Sequence, residues 1–271
     1  MSIGDRLFQG HRSGFFWLVV AVLASVSSGH VRADSCFVAS EQSGIAFPAV
    51  KIAGDWTCRL QLVIDHHISA NTVGPLITAM AEPMYLYMLD RPPVAAALIN
   101  RLDLADYKSE ERGPGRWWGS DGEGTEGIVQ LISQDRTTRV YYLEGTHHSS
   151  LLPNVSGKAV IFLRMRPVKD ERGSEAMEST MVAYTMLDNR VLSGFVSLLR
   201  PLIDATVMRK LSKGLEVVNR LGLEMDRRPD RVLFEATDPP PLPEQDVAVL
   251  TQALRRRHNS SATPHSSRPA P

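Results

Sequence analysis

"LIDATVMRKLSKGLEVVNRLGLEM", Leu202 to Met225, carries a single apolar stripe. Ile203, Val207, Leu211, Gly214, Val218, Leu221 and Met225 recur at steps of four and three, which is the ladder of one helix face. Pro201 suits the first turn, where its missing N–H would have no partner in any case. "VLSGFVSLLR" reads as a shorter helix or a break before it, and "RRPD" as its end. A long helix with one apolar face needs a long apolar surface to lie against.

That surface is expected upstream, where the period changes from helical to alternating. From Tyr107 to Asn189 the chain reads as a meander of antiparallel strands with mostly short links. "EGIVQLIS" leads through the polar turn "QDRTT" to "RVYYLEG". In "GKAVIFLRMRPV", Ala159, Ile161, Leu163 and Met165 fall on one side. The turn "KDERGSE" separates this from "STMVAYTMLDN". Further upstream, "MYLYML" (84–89) has the look of a buried strand, ended by Asp90, and "VAAALINRL" is a short helix with Val94, Leu98 and Leu102 on one face. "WTCRLQLVID" (56–65) has strand composition. "ISANTVGPLITAMAE" suggests a helix capped by Ser69 or Asn71, with Val73, Ile77 and Met80 together and Gly74-Pro75 disturbing its start. "RVLFEA" predicts a last strand, and the Pro-rich chain from Pro239 has the composition of a disordered tail.

The balance of 30 Lys+Arg against 30 Asp+Glu leaves no net charge, so no global field steers the chain toward nucleic acid. The N-terminus has a different character. Arg6 and Arg12 precede the apolar run from Phe15 to Val26, and Val31 and Ala33 follow in the small-residue pattern of a cleavage site. This is the order of a secretory signal peptide cut after Ala33, and the run is short for a spanning helix, which takes about 20 apolar residues. The alternative is an uncleaved inner-membrane anchor. Removal of the segment takes Arg6, Arg12, Arg32 and Asp5 with it, so the mature chain stays near neutral. Two cysteines remain, Cys36 and Cys58. In an exported protein such a pair invites a disulfide; two unpaired thiols are the alternative.

Motifs for catalysis are sparse. "DGEGTEG" (121–127) spaces Gly122, Gly124 and Gly127 as a dinucleotide-binding turn does. A strand follows, however, where such a turn requires a helix, and Asp121, Glu123 and Glu126 would repel a phosphate. The glycines fit a turn that needs φ > 0, or a bulge. Asp65-His66-His67 and His147-His148 are histidine pairs without the three or four converging ligands of a metal site, and the expectation is that no metal is held. The chain has no G-x-S-x-G elbow and no Cys-x-x-Cys. Trp117, Trp118, Tyr141 and Tyr142 place one ring of each pair on each strand face, for core packing or for a ligand.

The order of elements, from "MYLYML" through "DRPPVAAALINRLDLADY" to a meander and then "SLLRPLIDATVMRKLSKGLEVVNRL", resembles the START-like, helix-grip (SRPBCC) superfamily over roughly residues 84–226. The resemblance implies an α+β fold in which a curved antiparallel sheet wraps a long C-terminal helix and leaves an apolar cavity between them. Together with the readings of the two termini above, it divides the chain into a signal peptide (1–33), an N-terminal extension (34–83), the helix-grip domain (84–238) and a tail (239–271). It also implies a lipid or other apolar small molecule as ligand and no cofactor, with peripheral membrane contact as a further expectation and the oligomeric state left open. The expected ligand-binding residues are Trp117, Val129, Leu131, Tyr142, Ile161, Leu163 and Tyr184 on the strands, and Val207, Leu211, Gly214 and Val218 on the helix. The reading that follows is an exported, periplasmic ligand-binding protein. The alternatives are an enzyme on the same fold, using polar groups among Arg116, Tyr142, Glu144, His147, Arg164 and Tyr184, or an interaction module with a filled core.

Overall fold

The alternating strands of residues 108–187 assemble into an antiparallel sheet in a computed structural model that describes residues 36–47, 52–148, 154–188 and 196–261. Its strands are β3 (Ser69–Thr78), β4 (Lys108–Gly113), β5 (Arg116–Ser120), β6 (Thr125–Gln134), β7 (Thr138–His147), β8 (Val155–Lys169) and β9 (Glu175–Leu187). Their order across the sheet is β3-β9-β8-β7-β6-β5-β4. The meander is thus contiguous, and the early strand β3 closes on the last one. Two helices, α2 (Glu82–Asp90) and α3 (Pro92–Arg101), link β3 to β4, and the long helix α4 (Val196–Arg227) follows β9. The fold is α+β, a curved antiparallel sheet with a long helix after it.

Curvature has a local cause in the sequence. Gly119, Gly127, Gly145 and Gly157 stand in one row across β5, β6, β7 and β8. A Cβ on Gly145 would lie 2.6 Å from the Glu126 carbonyl oxygen, and one on Gly157 2.7 Å from that of Met186. The strands approach too closely there for side chains, and a glycine row of this kind lets a sheet bend.

Alternation along each strand divides the core into two clusters. On the face toward α4, Leu163, Met165 and Met177 pack with Met84, Tyr85 and Met88 of α2, Val94, Leu98 and Ile99 of α3, and Val217, Leu221 and Met225 of α4. The same cluster takes in helices α5 (Pro229–Thr237) and α6 (Glu244–Ser261) through Val232, Ala236, Leu250 and Leu254. Asp246 of α6 is fully buried and accepts hydrogen bonds from the Tyr87 hydroxyl and from Arg91 Nη2 (2.9 Å). Burial of the hydroxyl, and after it that carboxylate, push the Tyr87 pKa up to about 12.

The opposite face is covered by helix α1 (Gly54–Asp65) and by the chain around the short hairpin β1 (Glu41–Gln42) and β2 (Ile45–Ala46). Phe47, Leu60 and Val63 bury against Val140, Val160, Phe162 and Val182. Phe162 packs its ring 5.2 Å from Phe47, and a fully buried ring of this size contributes about 1.5–3 kcal/mol. Cys36 and Cys58 form a disulfide with Cα atoms 4.9 Å apart, tying this strap to α1.

Several sequence expectations are corrected. "WTCRLQLVID" is helix α1, because Leu60 and Val63 bury at helical spacing. "MYLYML" lies in helix α2, where Met84, Tyr85 and Met88 share one face. The expected helix at "ISANTVGPLIT" is strand β3, with a register shift between Val73 and Leu76 that accommodates Gly74-Pro75. The sheet unit therefore starts at Ser69, inside the stretch assigned to an extension. "RVLFEA" is helix α5. The tail expected from Pro239 includes α6, whose Leu250 and Leu254 are buried. The expected signal segment, residues 1–33, lies outside the described residues.

Candidate functional site

The register defines two rows of side chains on the sheet face toward α4. One runs Trp117, Val129, Leu143, Ala159, Thr185, Ser69; the next runs Leu131, Tyr141, Ile161, Ala183, Asn71. Ser69, Asn71, Ala183 and Trp117 are buried, while Val129, Leu131, Leu143, Ala159 and Ile161 remain half-exposed although most lie on interior strands. Apolar groups in that position are covered when a helix packs down on them; here they are only partly covered.

The helix shows the same division along its own stripe. Leu221 and Met225 are 1% and 3% exposed, whereas Ile203, Val207 and Leu211, on the same ladder, are only half-buried. Gly222 passes close to β3, so that a Cβ there would stand 3.0 Å from the Ala79 carbonyl oxygen. Gly214 lies on the inner ladder two turns earlier, and a Cβ there would meet nothing within 4 Å. The second half of α4 is seated on the core, while the ladder of its first half is only partly covered.

Polar contacts hold that first half in place on both sides. On the β3 side, Ser69 Oγ and Asn71 Nδ2 (3.2 Å) donate to Asp204 Oδ1, and Arg200 Nε donates to the Ile68 carbonyl at 2.9 Å. On the other side, Lys210 and Lys213 pair with Asp121 and Glu123 in the turn between β5 and β6. In that turn, the glycine-rich stretch 121–127, Gly122 and Gly124 have positive φ, and Asp121 Oδ1 accepts the Glu123 and Thr125 N–H groups at 2.8 and 2.9 Å. Burial raises the Asp121 pKa, but Lys210 and the two backbone donors outweigh it and leave it lowered. Lys213 lowers that of Glu123. These acidic residues, readable from sequence as a solvated turn, are anchors for the helix.

Beyond these rows, the same face carries Arg139, in register with Leu163 and Met181. Its Nη1 lies 2.8 Å from Asp90 Oδ1. Tyr85 shares a hydrogen bond of 2.7 Å with Ser179 nearby in the core.

Of the expected ligand residues, Trp117 lies buried and Val129, Leu131 and Ile161 half-buried on the sheet face toward α4, and Val207, Leu211 and Gly214 on the partly covered ladder of the helix. Leu163 and Val218 pack in the core at its end. Tyr142 and Tyr184 do not share that face: they lie on the opposite one under α1, with Tyr142 5.3 Å from Trp56, and Tyr184 5.3 Å from His67. Period two decides this, since Tyr141 and Tyr142 must face apart. The polar residues weighed for catalysis do not converge. The Tyr142 hydroxyl donates to Glu144 at 2.8 Å on that opposite face, Arg116 and Arg164 are exposed, and His147 contacts Thr125. Among the described residues no cluster of three or more His, Cys, Asp or Glu is arranged for a metal. The residues that sequence reasoning missed are Ser69, Asn71 and Asp204, whose signal was three short polar side chains at spacings no motif prescribes.

No protein-family model matches the chain, and no curated protein does. Solved structures with a similar course of chain include a conserved protein from Geobacillus kaustophilus, at 8% identity and TM-score 0.40, covering 57% of this chain and 94% of that one. An uncharacterized protein from Rhizobium leguminosarum is similar at 13% identity and TM-score 0.33, covering 58% and 97%. Ara h 8.0201 is similar at 15% identity and TM-score 0.32, covering 58% and 99%.

Proposed function

We propose that the protein is an exported carrier of an apolar, lipid-like small molecule, held between the sheet and the first half of α4. One observation carries the reading: a single helix ladder is sealed at Leu221 and Met225 yet only half-buried at Val207, Leu211 and Gly214, and the sheet face toward the helix leaves apolar Val129, Leu131 and Ile161 half-buried as well. Apolar surface lining a concavity is the usual form of a small-molecule site, with a few polar groups to orient the guest. Ala183, Leu143 and Trp117 extend the same lining.

Export is supported by the charged–apolar–small order of residues 6–33 and by the Cys36–Cys58 disulfide, which fits an oxidising compartment. No described helix is long and apolar enough to cross a membrane. The periplasm, with cleavage after Ala33, is the location we assign; N-terminal sequencing of the envelope-derived protein should begin at Asp34, and a start at Met1 would contradict it.

The ligand itself is tested by mass spectrometry of organic extracts from the purified protein, alongside titration with the apolar fluorophore N-phenyl-1-naphthylamine. A stoichiometric co-purified lipid, or probe binding that the lipid displaces, is expected. A clean extract with no probe binding would return the groove to the status of a packing defect.

A further inference from the structure

Arg139 is 3% exposed, yet its Nε has no hydrogen-bond partner, and its Nη1 meets Asp90 as an ion pair without a well-directed hydrogen bond. Buried donors left in this state are costly, and charged ones more so. The partner carboxylate is half in water, its side chain 52% exposed. Arg139 stands on β7 two residues from Tyr141, about 7 Å along the same face, and Tyr141 belongs to the half-open row with Leu131 and Ile161. The guanidinium therefore sits beside that row, held by Asp90 and the Tyr141 hydroxyl, with its Nε donor to spare.

We propose that Arg139 receives the carboxylate of a fatty acid whose alkyl chain lies along the groove, with Asp90 as the counter-ion that it displaces. This rests on the groove being the ligand site. The planar fork of a guanidinium matches a carboxylate with two parallel hydrogen bonds, and one cation matches one negative charge. Asp90, reaching in from the surface at the end of α2, neutralises Arg139 while the groove is empty and can turn out into water when a better-placed carboxylate arrives. Burial raises the pKa of the Tyr141 hydroxyl, and likewise that of Tyr85, so both stay neutral beside the site. Burial pulls the Arg139 pKa down, and Tyr141 and Asp90 more than reverse this, which keeps the cation charged.

The test is calorimetric titration of the full chain at pH 8 with dodecanoate and with dodecan-1-ol, which share a tail and differ in the head. The wild type should prefer dodecanoate by about tenfold or more, the scale of one charge-assisted contact. Arg139→Met should bind the two alike. Asp90→Asn, which removes the competing carboxylate, should tighten dodecanoate and leave dodecan-1-ol unchanged. Arg139→Lys serves if the methionine variant does not fold, and should keep the charge but narrow the preference. Equal affinities in the wild type, or a preference that survives in both Arg139 variants or is not widened in Asp90→Asn, would overturn the role of Arg139 and leave the groove standing. Binding of neither compound would overturn the groove reading itself, and this inference with it.

Discussion

Gly214 and Gly222 share a helix and differ in what stands opposite. Gly222 faces the β3 backbone, so Gly222→Ala should lose about 1–3 kcal/mol to overpacking, partly offset by the roughly 1 kcal/mol gain in helix propensity. Urea unfolding measures the balance, and a clear stabilisation would contradict the close approach. Gly214→Leu meets open space; it should keep the fold and lose N-phenyl-1-naphthylamine binding, because the new side chain fills the guest's place. Undiminished probe binding in a folded variant would move the guest elsewhere. Tyr184 offers a control from the other face. Tyr184→Phe removes only the 3.2 Å contact with Ser43, so probe affinity should not change, and stability should fall by no more than about 1 kcal/mol.

At the scale of elements, the anchoring of α4 sets a pH dependence. Asp121 and Glu123 both have folded-state pKa values below their ordinary values of 3.8 and 4.5. A depressed carboxylate stabilises the fold above its unfolded pKa, and the contribution is lost as pH falls through the folded value. The first half of α4 should therefore hold firm near neutrality and loosen below about pH 4. Hydrogen exchange of the amides of residues 203–214 measures this, and protection that is flat down through the acid range would show that the ion pairs do not restrain the helix. Element type was legible where periodicity was long: α4, the β6–β9 meander and α3 follow directly from their spacing. It failed at short apolar runs, since "MYLYML" has no period that separates a buried strand from a buried helix. Strand β3 was hidden for a different reason. Its inward positions Ser69 and Asn71 are polar, because they bind Asp204, so the alternation that marks a half-buried strand is missing. Helix α6 was hidden behind proline and arginine, its burial resting on Leu250, Leu254 and the pairing of Asp246 with Tyr87 and Arg91. For the site, the helix ladder was readable from sequence but the inward face of each strand was not, which is why Tyr142 and Tyr184 were placed with the groove.

At the scale of the whole molecule, the sheet is covered on both faces, by α2 to α6 on one and by α1 with its disulfide-tied strap on the other. Breaking the disulfide, which spans 22 residues, should cost roughly 3 kcal/mol on a loop-entropy estimate. Thermal unfolding with and without a reductant measures it, and an unshifted midpoint would mean that Phe47 and Leu60 hold the strap unaided. The bracing has a consequence for capacity. A sheet glued along its back to a stapled helix has little freedom to flatten, so the proposed guest would meet a width already set. What remains adjustable is the half of α4 held by polar pins instead of by packing. A carrier of the proposed kind should thus discriminate against broad, rigid guests while tolerating chains of differing length. Reduction of Cys36–Cys58, by freeing the back of the sheet, should relax that discrimination.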